Sequence, residues 1–407
     1  MKSLLTLLVL VCSLQAKAEE WPMWRGPLGN GHSSESGIPL RWSKSENVAW
    51  QTPIAGKGHS SPIIWGDRIF ITTAIEEQQK RMLLCLSRIT GKTLWERQVL
   101  IAPLEQKNPL NNYASATPAT DGQRVYVAFL DRPNVRLVCY DMDGNELWRV
   151  SPGTFRSMHG WAAAPILYKN LVILNCDQDG QGFLIAYDKV SGDERWRTDR
   201  PNHTRSYSVP LIAEAGGRMQ MVLTGSKCTA SYNPDTGHEL WLVDGPTEQF
   251  VASPVLSDGI FFITGGFPTF HYMGISPKGD VLYHEKMGAY VPSPIAVDKN
   301  VYMVTDEGQA WCIETKTGNR LWSQRLGRHH RPSPVYADGH LFFLADDGEM
   351  FVLKASPKFE LIAKNRLEED CFASPAISRG QIFIRTVSNL YCIGDTRRAD
   401  IPVRHLP

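Results

Sequence analysis

The residues best equipped for chemistry fall in a few short stretches. His329-His330-Arg331 places two imidazoles and a guanidinium in succession, material for a metal site or a phosphate clamp. Neighbouring residues on an extended chain point to opposite faces, so these two imidazoles do not share one ion without ligands from elsewhere. Asn175-Cys176-Asp177-Gln178-Asp179-Gly180 opens with the oxygen spacing of a calcium loop, but its twelfth position is Ala186 rather than Glu. It reads as a hairpin turn. No glycine-rich phosphate loop, HExxH helix, GxSxG elbow, CxxC or CxxCH is present. What remains are scattered His, Arg and aromatic residues, and their meaning depends on which elements bring them together.

Those elements form a repeat. Lys286–Gly327 reads as four short strands with Asp/Asn/Gly turns between them, and such a meander has apolar faces that only neighbouring copies can cover. A Pro opening the first strand recurs at 62, 118, 165, 210, 254, 294, 334 and 375, at intervals of 40 to 56 residues. Eight copies of four strands at this period predict a β-propeller. The residue two before each Pro is Ser60, Ala116, Ala163, Ser208, Ala252, Pro292, Pro332 or Ala373, small or Pro, as expected where eight strands crowd one axis.

The fourth strand has its own signature, Gly followed four residues later by an aromatic: Gly91/Trp95, Gly144/Trp148, Gly192/Trp196, Gly237/Trp241, Gly279/Tyr283 and Gly318/Trp322. Gly suits a tight turn with positive φ, and the aromatic offers flat area for packing blade on blade. Blade seven departs, carrying Lys358–Ile362 without Gly or Trp. The eighth repeat ends after three strands, and Glu46–Trp50, ahead of the first repeat, supplies the missing one. Pairing it there removes two exposed sheet edges. The expected fold is all-β: an eight-bladed β-propeller of four-stranded antiparallel blades, closed by an N-terminal strand that completes the last blade.

Composition fits an ordinary globular chain. Of 407 residues, 43 are basic and 42 acidic, so no bulk field draws nucleic acid or an anionic membrane. The start, with Lys2, an apolar run Leu4–Val11 and Ala16-Lys17-Ala18, reads as a secretory signal peptide cut after Ala18. Val11 is too bulky for a lipobox, so lipidation of Cys12 is not expected. No later run is long and apolar enough to span a bilayer. The organisation is therefore a signal peptide, 1–18; a Pro/Gly/Ser-rich arm, 19–45; the propeller, 46–397; and a tail, 398–407. Two insertions in the long first repeat, near Ala74–Arg81 and Ile101–Asn112, read as loops on a face. Cys85, Cys139, Cys312 and Cys392 all sit in third strands and read as small buried residues.

The SP…(V/I)Y…LYC(I/L)…GxxLW pattern resembles the pyrroloquinoline-quinone-like (PQQ-like) β-propeller repeat family, and EWPMWRGPLGNG followed by NVAWQTPI resembles an exported bacterial subgroup of it. The resemblance covers nearly everything after residue 18. It implies the propeller fold, and it leaves two kinds of function open, because the family contains quinone-dependent alcohol dehydrogenases as well as the non-catalytic BamB-type scaffold. The dehydrogenases of the family carry Ca²⁺, a catalytic Asp, a stacking Trp and often an adjacent Cys-Cys pair. That pair is absent here.

In a propeller the approaches to the eight first strands converge around one channel mouth. The residues there define the candidate rim: His59, Tyr113, His159, Trp161, Arg205, Tyr207, Phe250, Tyr290, His330 and Arg331. Aromatic, His and Arg side chains around an opening suit a small ligand or a peptide, and Trp161 suits stacking on a flat one. The expectation is a periplasmic or secreted, monomeric, non-catalytic scaffold with no cofactor and no metal, holding an envelope protein or small ligand at the rim. The alternative is a quinoprotein alcohol dehydrogenase using PQQ with Ca²⁺.

Overall fold

The computed structural model describes residues 19–395; the expected signal peptide and tail lie outside the described residues. Eight four-stranded sheets are present, each antiparallel. Blade 1 comprises Ile63–Trp65, Arg68–Ile75, Lys80–Ser87 and Thr93–Ile101, and the others repeat this order. In blade 8, Ala376–Ser378, Gln381–Arg385 and Asn389–Ile393 are joined by Val48–Pro53 as the outer strand. The closing strand thus starts two residues later than expected, after Asn47 at positive φ. Blade seven's outer strand likewise starts at Leu361 rather than Lys358.

Each inner strand begins on the residue after the repeated Pro. The residue directly before the Pro, next to the small residue read as steric crowding, often has a role of its own. The backbone N–H of Ser61 donates to Thr117 Oγ1, Val209 to Ser253 Oγ, Ser253 to Ser293 Oγ, Ser293 to Ser333 Oγ and Ser333 to Ser374 Oγ, all at 2.9–3.0 Å. At five blade junctions a hydroxyl thus accepts the N–H of the blade before it, lacing blades 1 to 2 and 4 through 8 into a partial belt around the channel; Ala164 and Val209 have no hydroxyl to offer.

At the outer strand every sheet bulges at one position, the residue before the aromatic in six blades and its equivalents Ala49 and Ile362 in the other two. The extra residue bends the edge and turns Leu94, Leu147, Leu282 and Leu321 to solvent while the aromatic faces the next blade. Each aromatic then donates to a turn carbonyl of that blade: Trp50 to Arg88, Trp95 to Met142, Trp148 to Lys189, Trp196 to Pro234, Trp241 to Pro277, Tyr283 to Thr315 and Trp322 to Ser356. The residue opposite each ring on the third strand is small, and four times it is cysteine: Cys85, Cys139, Cys312 and Cys392. All seven cysteines among the described residues are buried and unpaired.

The core lies between blades, as apolar clusters each shared by neighbours. Blade seven has Ala363 where the others carry an aromatic, and the arm fills that gap. Trp42 is buried in the same cluster as Ala363, its backbone N–H donating to Asn365 Oδ1 at 2.9 Å. The rest of the arm crosses the face made by the turns between first and second strands. Trp21 pairs with Ile64, Ser33 N–H donates to Tyr336 O, and the Glu35 carboxylate accepts from Arg379 and Gly380 N–H. Arg25 is wholly buried there, its Nη2 donating to Pro294 O at 2.5 Å. One mouth of the channel is therefore covered, and the candidate rim lies on the other.

Candidate functional site

On the open face two loop sets alternate, those joining second to third strands and those joining one blade to the next. Both insertions of the first repeat lie on this face. The first forms the 3₁₀ turn Glu76–Gln78, and the second runs through Lys107–Asn112. Between them and blade 8 is a cleft of about 600 Å³ lined by Ile54, Gly58, His59, Lys107, Arg331 and Phe372 among others.

The ten rim residues divide three ways. His59 and Arg331 line this cleft on either side of Phe372: the His59 and Phe372 rings are 5.0 Å apart, and the Arg331 guanidinium lies 4.9 Å from the same ring. Tyr113 stands behind it, its ring 5.1 Å from Lys107 Nζ and 5.5 Å from the Arg81 guanidinium. A second group gathers over blades 3 to 6. Tyr290 OH donates to Gln249 Oε1 at 2.9 Å, Tyr207 OH pairs with Ser157 Oγ at 2.5 Å, the His159 ring is 6.4 Å from that of Tyr207, and Arg205 pairs with Asp179 at 2.6 Å.

The remaining three are packed inside. Trp161 is 3% exposed, edge-on to Phe155 at 4.9 Å, and Phe250 is 0% exposed against Gly265. His330 is also 0% exposed, its two ring nitrogens within 3.0 Å of Leu344 O and 2.6 Å of Leu326 O. Burial pulls its pKa down while the two carbonyls pull it back. Trp161 has no open face for a flat ligand.

The cleft is electrostatically one-sided. Burial pushes the His59 imidazole down to about 3, with Arg385, Arg331 and Lys107 each adding to the effect. Arg385, at the end of Gln381–Arg385, is 2% exposed and donates through Nη1 to Ser60 O, Ser60 Oγ and Thr72 O. Sequence reasoning missed Arg385, Lys107 and Phe372. The insertion holding Lys107 was visible in the repeat length, but its partners on blade 8 were not.

Four carboxylates of this face serve the scaffold. Asp306 accepts from Tyr290 and Val291 N–H, and burial pushes its pKa up to about 6. Asp346 holds Arg331 through N–H and guanidinium, and Asp177 holds Arg200 in a fully buried pair. Glu369 accepts from Thr386, Asn389 and Tyr391. Among the described residues no three His, Cys, Asp or Glu gather as a metal-holding group. A calcium–quinone pair needs carboxylates free to take the ion, and Asp306, Asp346, Asp177 and Glu369 are not; Asp347, Glu368 and Asp370 line a separate small acidic hollow beside Glu369.

A family model described as outer membrane protein assembly factor BamB matches residues 79–324 and 230–404. No curated protein matches the sequence. Among solved structures, BamB from Moraxella catarrhalis aligns with a TM-score of 0.62 at 12% identity, over 88% of this chain and 99% of that one. Quinohemoprotein alcohol dehydrogenase from Comamonas testosteroni aligns at 0.66 and 12% identity, over 92% of this chain and 81% of that one. The quinohemoprotein alcohol dehydrogenase ADHIIG from Pseudomonas putida HK5 gives 0.64 at 11% identity, over 95% and 81%. At these identities the likeness is one of fold.

Proposed function

We propose, from the premise that this chain belongs to the PQQ-like β-propeller family whose model is described as outer membrane protein assembly factor BamB, that it is an exported, non-catalytic scaffold holding a ligand or envelope-protein segment at the open rim. The observation that carries this reading is the contrast on that face. Asp306, Asp346, Asp177 and Glu369 are spent on backbone and side-chain donors, whereas the cleft between blades 8 and 1 keeps the Lys107 and His59 side chains without hydrogen-bond partners among the described residues, beside the Phe372 ring. Such a wall of donors and rings suits recognition of a bound group. No helix among the described residues is long and apolar enough to cross a membrane, and the N-terminal leader pattern supports export.

The test is affinity capture from an envelope extract with the wild-type protein and with a Lys107→Ala/Arg331→Ala double variant, each with and without a chelator. Capture that survives chelation and falls in the double variant is the expected result. In parallel, the protein is incubated with PQQ and Ca²⁺ and assayed by absorbance and dye-linked alcohol oxidation. Stoichiometric, tight uptake of the quinone would sink the scaffold reading.

A further inference from the structure

The cleft between blades 8 and 1 carries more cationic than anionic side chains. Lys57, Lys107 and Arg331 line it, and Arg385 stands behind Gly58. Against these four, the cleft offers Glu76, 3.7 Å from Lys57, and the Asp346 that holds Arg331. Lys107 and Arg385 have no carboxylate within 4 Å among the described residues; Lys107 rests on the Tyr113 ring, and Arg385 bonds only to neutral oxygens.

A buried guanidinium with no counter-charge is costly to keep. Its position suggests what it is for. A β-carbon placed on Gly58 would lie 2.4 Å from Arg385 Nη2. With glycine there, the cleft wall at this point is thin backbone with a cation directly behind it. Burial pushes the His59 pKa down first, and the charges that add to the effect, Arg385, Arg331 and Lys107, are all positive. The same cleft also has apolar and aromatic lining, with Ile54, Pro109, Phe372 and Val387.

We propose that this cleft takes a small organic anion, a carboxylate or phosphate monoester on an apolar body, its charged head toward Lys107 and Arg385 and its body against Phe372 and Ile54. The proposal rests on the rim reading above and specifies the ligand chemistry. An anion there gains a charge-assisted hydrogen bond from Lys107 and the through-wall field of Arg385, neither of which favours a neutral isostere. Shape and apolar area are shared by both, so the difference between them isolates the charge.

The experiment is titration of the purified full chain with benzoate, phenyl phosphate, benzyl alcohol and benzamidine, followed by ligand-observed NMR. Benzoate and phenyl phosphate are expected to bind at least tenfold more tightly than benzyl alcohol, and benzamidine not at all. Raising salt should weaken the anions and leave the alcohol alone. Lys107→Ala, at a partly exposed side chain on a loop, should weaken benzoate several-fold without lowering the melting temperature, and Lys107→Arg should restore it. Equal binding of benzoate and benzyl alcohol, no benzoate binding, or a Lys107→Ala affinity equal to wild type would each overturn the proposal. These outcomes are separate from the envelope capture: a cleft blind to charge overturns the anion and leaves rim binding standing, while lost capture with benzoate binding intact does the reverse.

Discussion

The indole of Trp196 lies so close to Gly237 of the next blade that a β-carbon on that glycine would stand 2.5 Å from Trp196 Cε3. The same approach joins Trp50 to Gly91, Trp95 to Gly144, Trp148 to Gly192, Trp241 to Gly279 and Tyr283 to Gly318. The glycine of the repeat thus serves two ends, a turn at positive φ and a seat for the preceding blade's ring.

Gly237→Ala tests the pairing against a control. Gly237 and Gly259 have nearly the same φ, +72° and +74°, but a β-carbon on Gly259 meets nothing within 4 Å. Backbone strain of about 1–2 kcal/mol is common to both substitutions, and overpacking adds about 1–3 kcal/mol at Gly237 alone. Urea denaturation should therefore rank Gly237→Ala well below Gly259→Ala in stability. Equal losses would mean that the ring does not depend on its seat.

The hydroxyl belt makes a second prediction. Ser293→Ala leaves the buried Ser253 N–H without its acceptor, at a cost of about 1–3 kcal/mol. Ser293→Thr keeps the hydroxyl and should recover part of it. Amide hydrogen exchange at Ser253 reads the effect locally, with faster exchange expected in the alanine variant alone.

Trp161→Ala separates a core residue from a ligand platform. Its burial against Phe155 predicts a loss of about 3–5 kcal/mol. A variant that melted like wild type and lost only binding would contradict that placement.

Asp306 sets a pH dependence. Burial raises its folded pKa from 3.8 to about 6, so the folded state holds this proton more tightly than the unfolded chain does. The stability linked to it is fully present below about pH 4, the unfolded value, and is lost as pH rises toward 6. Asp306→Asn removes the titration, so its stability relative to wild type should climb between pH 4 and 6 by roughly 2–3 kcal/mol, on the scale of 1.36 kcal/mol per pKa unit. A difference that stays flat across that window, read from urea midpoints at several pH values, would show that the carboxyl titrates normally.

Much of the fold was legible because each blade is a local meander: Pro62 through Trp95 contains its own turns, alternation and outer aromatic. The belt was half legible. Crowding could be read in the small residues two before each Pro, but a hydroxyl directly before the Pro, bonded to a residue 40 positions away, leaves no trace in spacing. At the rim, convergence could be read and exposure could not. Trp161 and Arg331 look equally placed in the chain, yet Phe155 covers the first and the cleft opens on the second.

By itself, then, the sequence determined the repeat, the number of blades and the strand that closes the ring, because strand patterning and turn residues act over a few positions. Only the tertiary structure decided which rim residues have a free face and where unpaired charge collects. Arg385 meets Ser60 across 325 positions of chain, brought there by closure of the ring. Neither the burial of that guanidinium nor the glycine that leaves it room is encoded in any local pattern; both arise where the last blade meets the first.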